Sequence, residues 1–183
     1  MEDKLLIWKF KYGSADAFRR IYGKYKSCLL KISTALINDK SIAEDVVHDV
    51  FVTLAQSAKR IKLTGNLRSF LATCVANRAR TVNQRGRLRT TMDLELAESI
   101  VSKSPRPDQW IVHNEQLDQL NSALSQLPYE QREVITLHKY GGMTFNQIAS
   151  MQQTSINTVQ SRYRYGLDKL RSLLNAENSE VKK

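Results

Sequence analysis

TFNQIASMQQTSINTVQSRYRYGLDKL, residues 144–170, reads as two short helices joined by a tight polar turn. Thr144 with Gln147 three positions on has the pattern of a capping box, and Ile148 and Ala149 give the first helix an apolar face. Gln152, Gln153, Thr154 and Ser155 make the turn, with Ser155 placed to cap the helix that follows. In that helix Ile156, Val159, Tyr163, Leu167, Leu170 and Leu174 recur at helical spacing, which predicts one buried stripe. At about 100° per residue, Asn157, Ser161, Arg164, Tyr165 and Asp168 point the other way, flanked by Gln160 and Arg162. Amide, hydroxyl, guanidinium and phenol groups on one face are those that bond to phosphates and to base edges in the major groove. The stretch is expected to be a DNA-reading helix-turn-helix. An ordinary helical hairpin with a solvated face has a similar pattern, so the rest of the chain has to decide.

Charge is the first discriminator. The 183 residues carry a formal net charge of +10. Residues 1–92 hold 18 Lys and Arg against 7 Asp and Glu, whereas residues 93–183 hold 10 against 11. Within residues 50–92 there are nine basic side chains, among them Lys59, Arg60, Lys62, Arg68, Arg78 and Arg80, and no acid. Solubilising faces usually mix both signs. A stretch of one sign attracts a polyanion and releases counterions on binding, so this segment is expected to touch nucleic acid.

No apolar run approaches the roughly 20 residues that span a bilayer. Leu5–Trp8 (LLIW) is too short for a signal-peptide core and no cleavage pattern follows it, so a cytoplasmic chain is expected. Cys28 and Cys74 fall on apolar helical stripes and read as reduced core thiols. His48, His113 and His138 lie far apart with no Cys at ligand spacing, and neither a metal site nor a cofactor is expected.

Helical periodicity dominates and strand signals are almost lacking. A first helix is predicted over Asp3–Tyr12, ending at Gly13. A second, capped by Ser14, carries Phe18, Ile21, Tyr22, Tyr25, Leu29, Ile32 and Leu36 at three- and four-residue steps. Ser41 with Glu44 predicts a capping box for a third, with Ile42, Val46, Val50, Phe51 and Leu54 inward. Lys59–Asn66 reads as a basic loop, and a fourth helix runs from Leu67 to Gln84. From Gly86 to Asp108 the periodicity fades among Ser and Pro, with one weak helical turn near Leu94–Ile100. Periodicity resumes with Trp110, Leu117, Leu120, Leu124 and Leu127. Pro128 suits the first position of a helix ending at Gly141-Gly142. The expectation is an all-α chain: a helical domain over 1–90, a flexible linker over 91–108, a helix-turn-helix domain over 109–176 and a disordered tail over 177–183.

In this order the blocks AEDVVHDVF (Ala43–Phe51), SFLATCVANRAR (Ser69–Arg80) and LSQLPYEQREVITLHKYGGMTFNQIA (Leu124–Ala149) resemble the sigma factors of bacterial RNA polymerase. The likeness is to the short extracytoplasmic-function type of the sigma-70 family, and it covers nearly the whole chain. It implies that residues 1–90 are sigma region 2 and residues 109–176 sigma region 4. It implies core RNA polymerase and promoter DNA as partners, with an anti-sigma protein as a common family partner and no membrane insertion. On the docking helix it points to Asp45, His48 and Asp49, where the family usually has Gln at the position of His48. For the −10 element and its melting it points to Lys59, Arg60, Lys62, Asn77 and Arg80. Arg78 lies nearer the apolar side and suits a pair with Asp45 or Asp49. For the −35 element it points to Gln160, Ser161, Arg164 and Tyr165, with Arg162 as a phosphate or structural contact. The family often has Trp where this chain has Phe70, and basic residues at Gln160 and Tyr165.

Two other readings stay open at this level. A stand-alone helix-turn-helix regulator requires a dimerising surface, and no heptad seam is present. A nucleic-acid-processing enzyme needs a carboxylate cluster or a nucleophile–base pair, which Glu44, Asp45 and Asp49 alone do not complete. No covalent chemistry is therefore expected of the chain.

Overall fold

The computed structural model describes residues 2–61, 66–94 and 115–180, with side chains over 2–61, 66–86 and 119–176. All regular structure among them is helical: α1 (Glu2–Lys11), α2 (Ala15–Leu36), α3 (Lys40–Gln56), a 3-10 turn at Ala58–Arg60, α4 (Leu67–Leu94), α5 (Glu115–Ser125), α6 (Tyr129–Lys139), α7 (Phe145–Gln152) and α8 (Ile156–Glu180).

The ends of the elements follow from short-range chemistry. Gly13 takes φ 87°, which lets Ser14 N–H reach back to the Lys9 carbonyl at 3.1 Å and closes α1. Ser14 then opens α2, its Oγ accepting from Ala17 N–H at 3.2 Å, as the sequence predicts. At α3 the cap is Asp39 rather than Ser41: Oδ1 accepts from Ile42 N–H at 3.0 Å, and Ser41 is already helical. A carboxylate binds free helix N–H groups more strongly than a hydroxyl does, so the helix starts earlier. Ile42, placed inward by its spacing, is exposed, and Ala43 faces the core instead.

Two helices outrun their expected ends. α4 continues ten residues past Gln84 to Leu94, into the stretch assigned to the linker. The rest of that linker, residues 95–108, lies outside the described residues, as does Trp110. α8 runs to Glu180, where a disordered tail was expected from 177. Ala and Glu in Asn175–Glu180 are good helix formers and no Gly or Pro stops it. Residues 181–183 lie outside the described residues.

α2 is the centre of the molecule. Its stripe of Ile21, Tyr25, Leu29 and Ile32 packs in one core with Val46, Val50 and Phe51 of α3 and Leu71 and Val75 of α4. That core does not stop at the first four helices. It continues into Val134 and Leu137 of α6, Ile148 of α7 and Val159 of α8. A second cluster, Ala123, Leu124, Leu127, Ile135 and Leu170, takes in Ala35 of α2. α2 thus packs on α5 and α6 as well as on α3 and α4. Where the sequence suggests two bodies on a tether, the two halves share one apolar interior. Cys28 and Cys74 are both half-buried rather than fully in the core. The Cys28 thiol donates across the seam to the Tyr140 carbonyl at 2.9 Å.

Candidate nucleic-acid interface

α7 opens with a closed capping box. Gln147 N–H donates to Thr144 Oγ1 at 3.3 Å, and Thr144 N–H donates to Gln147 Oε1 at 2.9 Å. The turn is made by Gln153, which adopts the left-handed conformation at φ 52°. Thr154 N–H then bonds back to the Ala149 carbonyl at 3.0 Å. Ser155 Oγ accepts from Thr158 N–H at 3.1 Å and starts α8.

Behind the turn, Ile148 and Val159 are fully buried. His138, Phe145 and Tyr163 form an aromatic cluster with ring centroids 4.5–5.2 Å apart. His138 Nδ1 lies 2.8 Å from the Met143 carbonyl, which can only accept, so Nδ1 carries the proton. These contacts fix α7 and α8 to α6 and give the outer face of α8 a rigid backing. Ile156, placed by its spacing on the buried stripe, is the first residue of α8 and is 43% exposed, whereas Val159 on the same stripe is fully buried.

On that outer face Asn157, Gln160, Arg164 and Tyr165 are exposed and Ser161 is half-buried. Arg164 lies over the Tyr165 ring, 5.0 Å from its centroid, and Nη2 donates to the Tyr165 hydroxyl at 3.3 Å. The pair presents a guanidinium and a phenol as one unit, with the long side chain already ordered. Arg162 is different. Its Nη1 donates to Gln152 Oε1 at 2.8 Å, and Gln152 Nε2 donates to Glu133 Oε2 at 2.7 Å. Of its two readings, the structural contact is the one this geometry makes.

In the first half, Lys59 and Arg60 are exposed on the 3-10 turn, and Asn77 is exposed on α4. Lys62 lies outside the described residues. Arg80 is turned inward, 28% exposed, and makes a bidentate pair with Glu133 of α6: Nε to Oε1 at 2.9 Å and Nη2 to Oε2 at 2.7 Å. Burial works against the Arg80 charge, but the carboxylate outweighs it and holds the guanidinium above its usual pKa. Asn77 lines a cleft of about 520 Å³ in which Asn66, Ser69 and Thr73 face Met143, Gln147 and Ser150 of the helix-turn-helix. One wall is thus the helix expected to handle the −10 strand, and the other is the second half of the same chain.

Two family comparisons match this arrangement segment by segment. Sigma-70 region 2 matches residues 21–88, and Sigma-70, region 4 matches residues 117–170. ECF RNA polymerase sigma factor RpoE of Cereibacter sphaeroides is 30% identical over 159 residues, 86% of this chain and 83% of that one. The chain belongs to the extracytoplasmic-function sigma factors of the sigma-70 family. RNA polymerase sigma factor CnrH of Cupriavidus metallidurans is 25% identical over 185 residues and matches 97% of each chain. The fold agrees with that of CnrH solved with the cytosolic domain of CnrY, at TM-score 0.67, 23% identity and coverage of 95% of this chain and 97% of that one. It also agrees with sigma factor RpoE of Bartonella quintana, solved with the anti-sigma factor NepR, at TM-score 0.66, 24% identity and coverage of 86% and 96%.

On the sigma factor's α3, Asp45 and His48 are exposed, while Asp49 is engaged by Arg78 in an ion pair. Of the two carboxylates the sequence offered to Arg78, geometry selects Asp49. Phe70 is half-buried and lines an apolar groove of about 350 Å³ between α3 and α4, together with Leu54, Leu71, Cys74 and Asn77. Burial pushes the Cys74 thiol above its usual pKa.

Glu133 is the residue that sequence reading passed over. Its side chain is 2% exposed and accepts from Arg80, from Gln152 and from the Tyr129 hydroxyl at 3.2 Å. Burial first, and the adjoining carboxylate second, push the Tyr129 phenol up. The signal was present in the sequence: Glu133 stands four residues before Leu137, so it occupies the apolar stripe of its helix, and an acid there needs partners.

Proposed function

We propose that this sigma factor binds core RNA polymerase in the cytoplasm and carries it to promoters by reading two DNA elements, one with each half. The observation that carries the reading is the outer face of α8: exposed Gln160, Arg164 and Tyr165, set on a helix whose other side is locked into the core. Gln160, Ser161, Arg164 and Tyr165 take the −35 duplex, with Arg164 as the strongest base contact. Arg162 steadies the turn. Lys59, Arg60 and Lys62 hold the −10 strand by charge while Asn77 meets its bases, which requires unstacking at a few kcal/mol per step. Asp45 and His48 meet the polymerase, and Asp49 holds Arg78 in place. A face poorer in cations than the family's usual one gives a weaker and less salt-dependent −35 contact.

The chain supplies no covalent chemistry in this scheme. Polymerase spaces the two halves, and tethering turns two weak contacts into one usable affinity. An anti-sigma protein is proposed as a further partner, on the footing that the Bartonella quintana relative was solved with one.

The test is to mix the purified chain with core RNA polymerase, follow co-elution, and run off transcripts from the chain's own upstream region. Co-elution with initiation at a defined promoter is the expected result. Failure to bind core, together with tight duplex binding by the free chain, would make it a conventional regulator instead.

A further inference from the structure

Within the apolar seam between the two halves sits one buried carboxylate. Glu133 sits on α6 in the second half, nearly closed to solvent, and its principal cationic partner is Arg80 from α4 in the first. Both guanidinium donors meet both carboxylate oxygens, the strongest pairing available to these groups. Other bonds cross the same seam: Arg68 Nε to the Tyr140 carbonyl at 2.8 Å, Cys28 thiol to the same carbonyl at 2.9 Å, and Arg132 Nη1 to Asn38 Oδ1 at 3.2 Å. Each of those uses a neutral acceptor. The Arg80–Glu133 contact, by comparison, is an ion pair across the seam and sets opposite full charges against each other.

The family resemblance points to Arg80 as a contact to the −10 element, and in this arrangement its guanidinium is spent on Glu133. We propose that Glu133 is an interdomain latch: it holds the free chain closed and keeps Arg80 from DNA until the two halves part. The consequence for DNA rests on the sigma reading, but the closure itself does not.

Two features make the latch reversible. When Arg80 leaves, Glu133 keeps Tyr129 and Gln152 as donors within its own half, so its charge is not stranded. Phosphate oxygens offer Arg80 an equivalent bidentate acceptor, so DNA competes for the same fork of donors. Polymerase, by holding the two halves apart, shifts the same equilibrium without touching Glu133. Unbound sigma is then poor at DNA because one of its own acids occupies the Arg80 guanidinium and the closed chain holds the two halves at a fixed, packed spacing.

The chain carries its own reporters. Cys28 lies in the seam and is uncovered when it opens, whereas Cys74 lies in the groove between α3 and α4 and is not. The full chain is alkylated, and the labelling rates of the two cysteines are compared by peptide mass. Arg80→Gln should raise the Cys28 rate relative to Cys74 by about five- to thirty-fold, the population change a lost contact of this size produces. Helical circular dichroism should stay unchanged, and the radius of gyration from solution scattering should increase. Glu133→Gln should do the same. If that variant loses helix, Arg80→Gln decides alone, because it leaves the partners of Glu133 in the second half intact. A Cys28 to Cys74 ratio that stays at the wild-type value in Arg80→Gln overturns the latch, as does a rise of both rates together. A raised ratio in a chain that fails to bind core polymerase would keep the latch and remove the sigma reading.

Discussion

Gln153 holds a backbone conformation that most side chains avoid. At φ 52° it closes the turn of the helix-turn-helix, and the return bond from Thr154 N–H to Ala149 requires it. Glycine enters that region freely, while a β-branched residue does so at a cost. Gln153→Gly should therefore stabilise the fold by about 0.5–1 kcal/mol and Gln153→Val should destabilise it by about 1 kcal/mol or more, both read from urea midpoints. Arg164 makes the matching functional case. Stacked on Tyr165, its side chain is already ordered for the −35 contact proposed for it. Arg164→Ala should weaken transcription from promoters with the preferred −35 sequence by about 1–3 kcal/mol in run-off assays, and much less where that base differs.

Elements hold together here through a few contacts whose chemistry can be titrated or crowded. α1 is pinned to α2 by Lys24, which donates to Glu2 at 2.9 Å and to Asp3 at 2.7 Å, and by the Tyr25 hydroxyl on Asp3. Burial alone would raise Asp3, but the bonds from Lys24 and Tyr25 outweigh it and bring its pKa below 3.8. Lys24 brings Glu2 below 4.5. A carboxylate with a lowered folded pKa stabilises fully above its ordinary value and loses that contribution as pH falls through the folded one. The thermal midpoint should accordingly drop between about pH 5 and pH 3, and Asp3→Asn should flatten that part of the curve in a pH series of melts. α6 and α8 approach closely at Gly166, where an added Cβ would lie 2.8 Å from Ile135 Cδ1 and 3.1 Å from Gln131 Cβ. Gly166→Val overfills this contact and should cost about 1–3 kcal/mol in chemical denaturation.

At the scale of the molecule, the shared core couples the stability of the two halves. Ala35 of α2 is buried in the cluster of the second half, so a charge placed there attacks the seam without entering the core of the first. Wild type should melt in a single calorimetric transition, and Ala35→Lys should split it into two while helix content at low temperature is kept. The sequence by itself determined the all-helical class, the helix-turn-helix with its capping box and Ser155 cap, the basic fourth helix, and the outward set Gln160, Arg164 and Tyr165. Each of these is written in periodicity or in contacts three to four residues apart, which a linear reading can follow. It also offered Arg78 two acids, Asp45 and Asp49, without choosing between them. Tertiary structure alone decided that Asp49 takes Arg78, that Arg162 holds Gln152, that Ile156 faces solvent, and that Arg80 turns inward to Glu133. The longest of those pairings, Arg80 with Glu133, joins residues 53 positions apart, and α2 packs on both of their helices. Spacing along the chain specifies which face of a helix is apolar, but the partner of a buried charge is set by whichever element folds back onto it.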